Sequence, residues 1–269
     1  MRRAAVVLAL AAFVAGLVWV GRFTIRWTTG PTCQATAAGQ THAFTPEQTS
    51  NASLITAVAM KRGLPARAAT IALATAIQES GLRNIDYGDR DSVGLFQQRP
   101  SQGWGTVEQI MDPLYSAGAF YDALVKVDDY ENRPITEVAQ EVQRSAYPTA
   151  YADHEQEGRT LASTLSGHSP AGLACRLDAP AGTADADAVA AALREQLGYT
   201  ARIEGDLLTV ATSGEQDAWT VAGWATAQAQ SLDVSAVALA DREWRREEDP
   251  LTWHTVPAAE ATTVRISLS

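Results

Sequence analysis

Apolar positions follow three different patterns along the chain. Residues 4–20 form an unbroken apolar run behind Arg2 and Arg3, closed by Gly21 and Arg22. As a helix, about 17 residues rise roughly 25 Å, near the lower bound for a bilayer core. A cleaved signal peptide and an uncleaved signal anchor compete here. The length of the run, the lack of a small-residue cleavage site just after it and the flanking Trp19 and Trp27 favour an anchor over residues 1–27. A juxtamembrane linker is expected at 28–44.

From Thr45 onward the apolar spacing is helical. Thr45-Pro46-Glu47-Gln48 reads as an N-cap with proline at the first helical position, followed by Leu54, Ile55, Val58 and Ala59 up to Gly63. Pro65 opens a second helix whose face of Ala68, Ile71, Ala72, Thr75 and Ala76 is small enough for close helix packing; it ends at Glu79-Ser80-Gly81. Periodicity is then lost over 82–105, a long polar loop with a short apolar island at 93–96, and such loops inside compact domains usually carry function. Helices resume at Asp112-Pro113 and at Pro134, Tyr147-Pro148 breaks the pattern, and a last helix runs to Leu165. This predicts a helical domain over 45–166. A linker rich in small residues and proline follows at 167–184. Over 185–269, two helical stretches and runs of period-2 character predict a small α+β domain.

Composition narrows the function classes. The formal charge of −10 argues against non-specific nucleic-acid binding, which needs a basic surface. Positive charge is nearly all arginine, with Lys61 and Lys126 the only lysines. Two cysteines and four scattered histidines provide no metal-ligand spacing, and no Ser/His/Asp set or phosphate-binding glycine loop is present, so neither a metal nor a cofactor is expected. Cys33 and Cys175 bracket the helical region. Bonded, they would clamp its start to its finish, a pairing that persists outside the cytosol; the alternative is two buried thiols. An exported chain held at the cell membrane by a single pass, its bulk on the outer side, is the expectation. Four of the seven tryptophans, Trp219, Trp224, Trp244 and Trp253, fall in the last domain as a glycan-stacking surface or as core.

Glu79 stands out chemically. A carboxyl at a helix C-terminus meets the negative end of the helix dipole, and an apolar helix behind it adds desolvation; both favour the protonated form. A carboxyl that keeps its proton near neutral pH can donate it to a glycosidic oxygen.

Three motifs in order, Glu79-Ser80-Gly81, Gly94-Leu95-Phe96-Gln97-Gln98 and Gln143-Arg144-Ser145-Ala146-Tyr147, resemble the signatures of the lysozyme-like lytic transglycosylases over residues 52–165. The run from Asp91 to Gly105 resembles a variant of exported actinobacterial proteins. The resemblance implies a mainly α, lysozyme-like catalytic domain with Glu79 as its single acid. It also implies a sugar site lined by Ser80, Gly94, Leu95, Phe96, Gln97, Gln98 and Trp104, with Tyr147 near the acid. The implied reaction cleaves the bond between N-acetylmuramic acid and N-acetylglucosamine in peptidoglycan strands and closes a 1,6-anhydro ring. Two departures accompany it: Gln143-Arg144-Ser145 replaces an asparagine-containing stretch, and a proline follows Tyr147. Among the loop acids Asp86, Asp89 and Asp91, the latter two are candidate auxiliary carboxylates that would position a water and give lysozyme-type hydrolysis. A non-catalytic envelope scaffold or glycan-binding protein is the other alternative. For the last domain no partner can be named, and docking or placement is its expected role.

Overall fold

The computed structural model describes residues 30–143, 151–182, 184–247 and 249–269. The chain opens as a hairpin. Strand β1 (Thr32–Ala37) pairs antiparallel with β2 (Gln40–Phe44), and Ala37 faces Gln40 across a two-residue turn. Ala38 and Gly39 both take positive φ there, the geometry that matches the twist of the flanking strands. Cys33, Ala35 and Ala37 alternate as the buried positions of β1.

Helix α1 (Pro46–Lys61) starts on the capping box of Thr45 and Gln48. Helix α2 (Ala66–Ser80) follows, with every residue from Ala68 to Ala76 buried. It stops at Gly81, whose φ of 62° supplies the left-handed cap. The carbonyls past this end are satisfied from α1: Gln48 donates to Gly81 O at 2.9 Å and Asn51 to Leu82 O at 2.8 Å. Short α3 (Val107–Ile110), α4 (Pro113–Leu124), α5 (Ile135–Gln143) and α6 (Glu155–Leu165) complete the helical part. Helix α6 packs closely on α2 because Gly158 lets it: a Cβ there would lie 2.9 Å from Ala74 N and 3.0 Å from Thr70 O.

Strand β3 (Leu173–Arg176) then returns to β1, giving a sheet in the order β2-β1-β3. Cys33 stands directly opposite Cys175 in this register, and the two form a disulfide. Both cysteines are fully buried.

Helices α7 (Ala186–Leu197) and α8 (Glu215–Ala227) accompany an antiparallel sheet of β4 (Arg202–Glu204), β5 (Leu207–Ala211), β6 (Val234–Leu239), β7 (Arg242–Arg245), β8 (Trp253–Thr255) and β9 (Thr263–Leu268). Its order is β4-β5-β9-β6-β7-β8. Helix α8 is buried from Ala218 to Ala227 and packs on β6 and β9 as well as on β3 and α6. The four tryptophans of this region are core. Trp219 and Trp253 meet edge to face, Trp224 donates to Gln196, Trp244 to Pro250 O and Trp253 to Leu173 O.

The architecture corrects the expected fold class. Eight helices and nine strands in two antiparallel sheets are present among the described residues, so a mainly α catalytic domain followed by a separate small domain is not what the chain builds. Two stretches read as linkers, 28–44 and 167–184, supply the three strands of the first sheet. Residues Thr32–Ser269 form one compact unit, with one hydrophobic cluster extending from Cys33 to Leu268. Among the described residues no helix is long and apolar enough to cross a membrane; the anchor expected at 1–27 lies outside them.

These contacts set the expected stability of two variants. The disulfide closes a loop with a separation of 142 residues, and the chain-entropy relation gives it about 5 kcal/mol. Replacing both cysteines by alanine is expected to lower the unfolding free energy in urea by about that amount. Gly158→Ala forces α6 away from α2 and is expected to cost about 1–3 kcal/mol in the same assay, as overpacking does.

Candidate active site

Glu79 occupies the penultimate position of α2, at the end of a helix made almost wholly of small buried residues. Its carboxyl is half-buried, and loss of water raises its pKa above the ordinary 4.5. Two side chains oppose that shift by hydrogen-bonding the ionised form. The Tyr151 hydroxyl donates to Glu79 Oε1 at 2.7 Å, and the Gln143 side chain provides the weaker effect. Desolvation is the larger influence, so the net direction is upward.

Each partner is itself fixed. Tyr151 is fully buried, one residue before a short 3-10 turn, Ala152–His154, that leads into α6. His154 holds this turn to α2 through a ring nitrogen 3.1 Å from Gln78 Oε1, and its other nitrogen lies 3.2 Å from Glu157. Gln143 ends α5 and donates through Nε2 to Phe96 O at 2.7 Å. The close α2–α6 packing around Gly158 therefore brings Tyr151 onto Glu79, while α5 brings Gln143.

The loop opposite is built around the Gly94–Gln98 stretch. Gly94 has φ of 80°, and a Cβ there would sit 2.8 Å from Ile110 O, so no other residue fits without displacing backbone. Its N–H donates to Ile85 O at 2.7 Å. Ser80 is buried and donates to Leu95 O at 2.7 Å, which ties the loop to the end of α2. Leu95 and Phe96 are fully buried, and Phe96 stacks on Phe120 with ring centroids 4.7 Å apart. Val93 and Gln98 exchange both backbone bonds at 3.0 Å, closing a small hairpin. Gln97 takes a positive φ of 48° and spends its amide on Tyr87 O and Gly94 O, both at 3.3 Å. Gln98 is buried and donates to Ser116 O at 3.1 Å. Trp104 is half-buried against the core.

Several expected site residues thus hold the loop together. Leu95, Phe96 and Gln98 have no exposed face to offer, and Ser80 faces the loop backbone. Asp91 accepts from Arg99 Nε at 2.7 Å and from Ser101 N at 2.8 Å; those bonds hold its carboxyl far below the usual carboxylate range, and both oxygens are occupied. Asp89 is exposed, 3.8 Å from Arg90. Neither acid hydrogen-bonds Glu79 among the described residues. Tyr147 lies outside the described residues.

Among the described residues the tyrosine bonded to Glu79 is Tyr151, in the role expected of Tyr147, and the sequence carries a signal for it. Ala150-Tyr151 repeats the Ala146-Tyr147 pair four residues later, without the proline that follows Tyr147. A scan against models of protein families found no match to this chain, and neither did a search of curated proteins.

The raised pKa of Glu79 links to stability with a definite sign. Between 4.5 and the raised folded value, the native state binds more protons than the unfolded chain, so stability falls as pH rises through that window. Glu79→Gln is expected to remove this part of the pH dependence in urea denaturation. Tyr151→Phe removes the main bond to the ionised form and is expected to extend the decline to higher pH.

Proposed function

We propose that this protein is an exported peptidoglycan lytic transglycosylase in which Glu79 acts alone as acid and then base. The observation that carries this reading is the Glu79 carboxyl itself, half-buried and pushed toward its protonated form, yet held by Tyr151 and Gln143 in a single orientation. The disulfide between Cys33 and Cys175 supports an oxidising, extracytoplasmic location.

The chemistry follows from one carboxyl. Protonated Glu79 donates its proton to the oxygen linking N-acetylmuramic acid to N-acetylglucosamine, and the bond from that oxygen to C1 of the muramic residue breaks. The carbonyl oxygen of the substrate's N-acetyl group stabilises the positive charge developing at C1. Glu79, now ionised, takes the proton of the same sugar's C6 hydroxyl as O6 bonds to C1. The ring closes and the carboxyl is protonated again. Tyr151 and Gln143 favour the ionised form between the two steps, while desolvation favours the protonated form at the start; the cycle needs both. Hydrolytic glycosidases usually use a second carboxylate for the water or the sugar. With Asp91 engaged by Arg99 and Ser101 and Asp89 out in solvent, intramolecular closure is the better supported outcome.

Digestion of purified sacculi tests the reading. The wild-type chain is expected to release muropeptides lighter by one water than the hydrolytic products. Glu79→Gln is expected to reduce release about 100- to 10,000-fold, the usual contribution of a general acid. Because the protonated carboxyl initiates cleavage, activity should decline as pH rises through the raised Glu79 pKa. Unmodified reducing ends would indicate lysozyme-type hydrolysis, and full lysis by Glu79→Gln would exclude Glu79 as the acid.

A further inference from the structure

Helix α4, the turn after it and α5 enclose a groove of about 570 Å³ whose wall includes Trp104, Tyr115, Asp122, Lys126, Glu141 and Gln143. Gln143 also hydrogen-bonds Glu79, so the acid, which does not itself line the groove, is one side chain away from it. The charges on its wall are unequal in their freedom. Asp122 is paired with Arg62, and Glu141 accepts from Arg133 at 2.9 Å. Lys126, one of two lysines in the chain, makes no ion pair or side-chain hydrogen bond among the described residues. A protein of net charge −10 thus presents, in a groove that Gln143 shares with its candidate acid, an ammonium that forms no ion pair among the described residues. Trp104 and Tyr115 add aromatic surface of the kind that stacks on sugar rings.

Resting on the lytic reading above, we propose that this groove receives the muramic part of the strand and that Lys126 pairs with a carboxylate carried there. The carboxylate belongs either to the stem peptide or, in a stripped strand, to the lactyl group itself. A neutral chitin-type oligomer has the same sugar rings and no such charge, which makes Lys126 a specificity-determining residue.

Binding to the full chain carrying Glu79→Gln, with and without Lys126→Gln, separates these contributions without turnover. The probes are peptide-bearing glycan strands, amidase-stripped strands and N-acetylglucosamine oligomers of equal length. Lys126→Gln is expected to weaken binding of a charged strand about fivefold, a loss in the range of an exposed ion pair, and to leave the neutral oligomer unaffected. Lys126→Arg should retain the charged-strand affinity, and raised salt should erase the difference. A loss confined to peptide-bearing strands identifies the stem carboxylate, and a loss confined to stripped strands identifies the lactyl carboxylate. If the chains with and without Lys126→Gln bind both charged strands equally well, the inference is overturned, while anhydro products from the wild-type chain would still uphold the lytic reading. Failure of the wild-type chain both to bind and to cut any strand would overturn both.

Discussion

A carboxyl that has lost much of its water, at the end of a helix buried along most of its length, is the constraint on which the rest of the structure depends. Desolvation pushes Glu79 toward its protonated form, and the Tyr151 hydroxyl at 2.7 Å keeps the ionised form accessible. Neither influence would be defined on a mobile side chain. Rigidity comes from α2, buried along most of its length, and from three neighbours that fasten its middle and its end. Helix α1 satisfies the Gly81 and Leu82 carbonyls, α6 approaches through Gly158, and the Gly94 loop is tied in by Ser80.

The loop from 82 to 105 illustrates how a polar segment becomes a fixed wall. Gly94 allows the backbone to pass against Ile110, and Leu95 and Phe96 anchor it in the core. Asp91, Gln97 and Gln98 then use their polar atoms on the loop and its supports. The wall is consequently stiff, Gln143 ties α5 to it through Phe96 O, and the groups left to meet a ligand come from around it: Glu79 from α2 and the aromatic and cationic side chains of the neighbouring groove.

The sequence made the helices legible because their signals are local. Thr45-Pro46 and Asp112-Pro113 cap and start two of them, and Gly81 ends α2 where the periodicity stops. It also pointed to Glu79, since helix end and apolar run can be read without a partner. The first sheet was not legible. In β1 the buried positions are Cys33, Ala35 and Ala37, whose small side chains give little period-2 contrast, and its partner β3 lies some 140 residues away. Nor was the union of the two halves, because it depends on long-range contacts such as Ser50 with Gln228 and Lys61 with Glu195 O. Among the site residues, the glutamines have the composition of a sugar-binding pair, but their amides bond to backbone that the fold brings to them from Tyr87, Gly94 and Ser116. Tyr151 was hidden by the earlier Ala-Tyr pair.

The central claim is that Glu79 holds its proton above the pH at which an ordinary glutamic acid has lost it. A ¹³C NMR titration of the side-chain carboxyls, with Glu79→Gln to assign the resonance, measures this directly. The account predicts a midpoint for Glu79 clearly above 4.5. A midpoint at or below that value would mean that burial does not protect the proton, and the acid on which the mechanism rests would be absent.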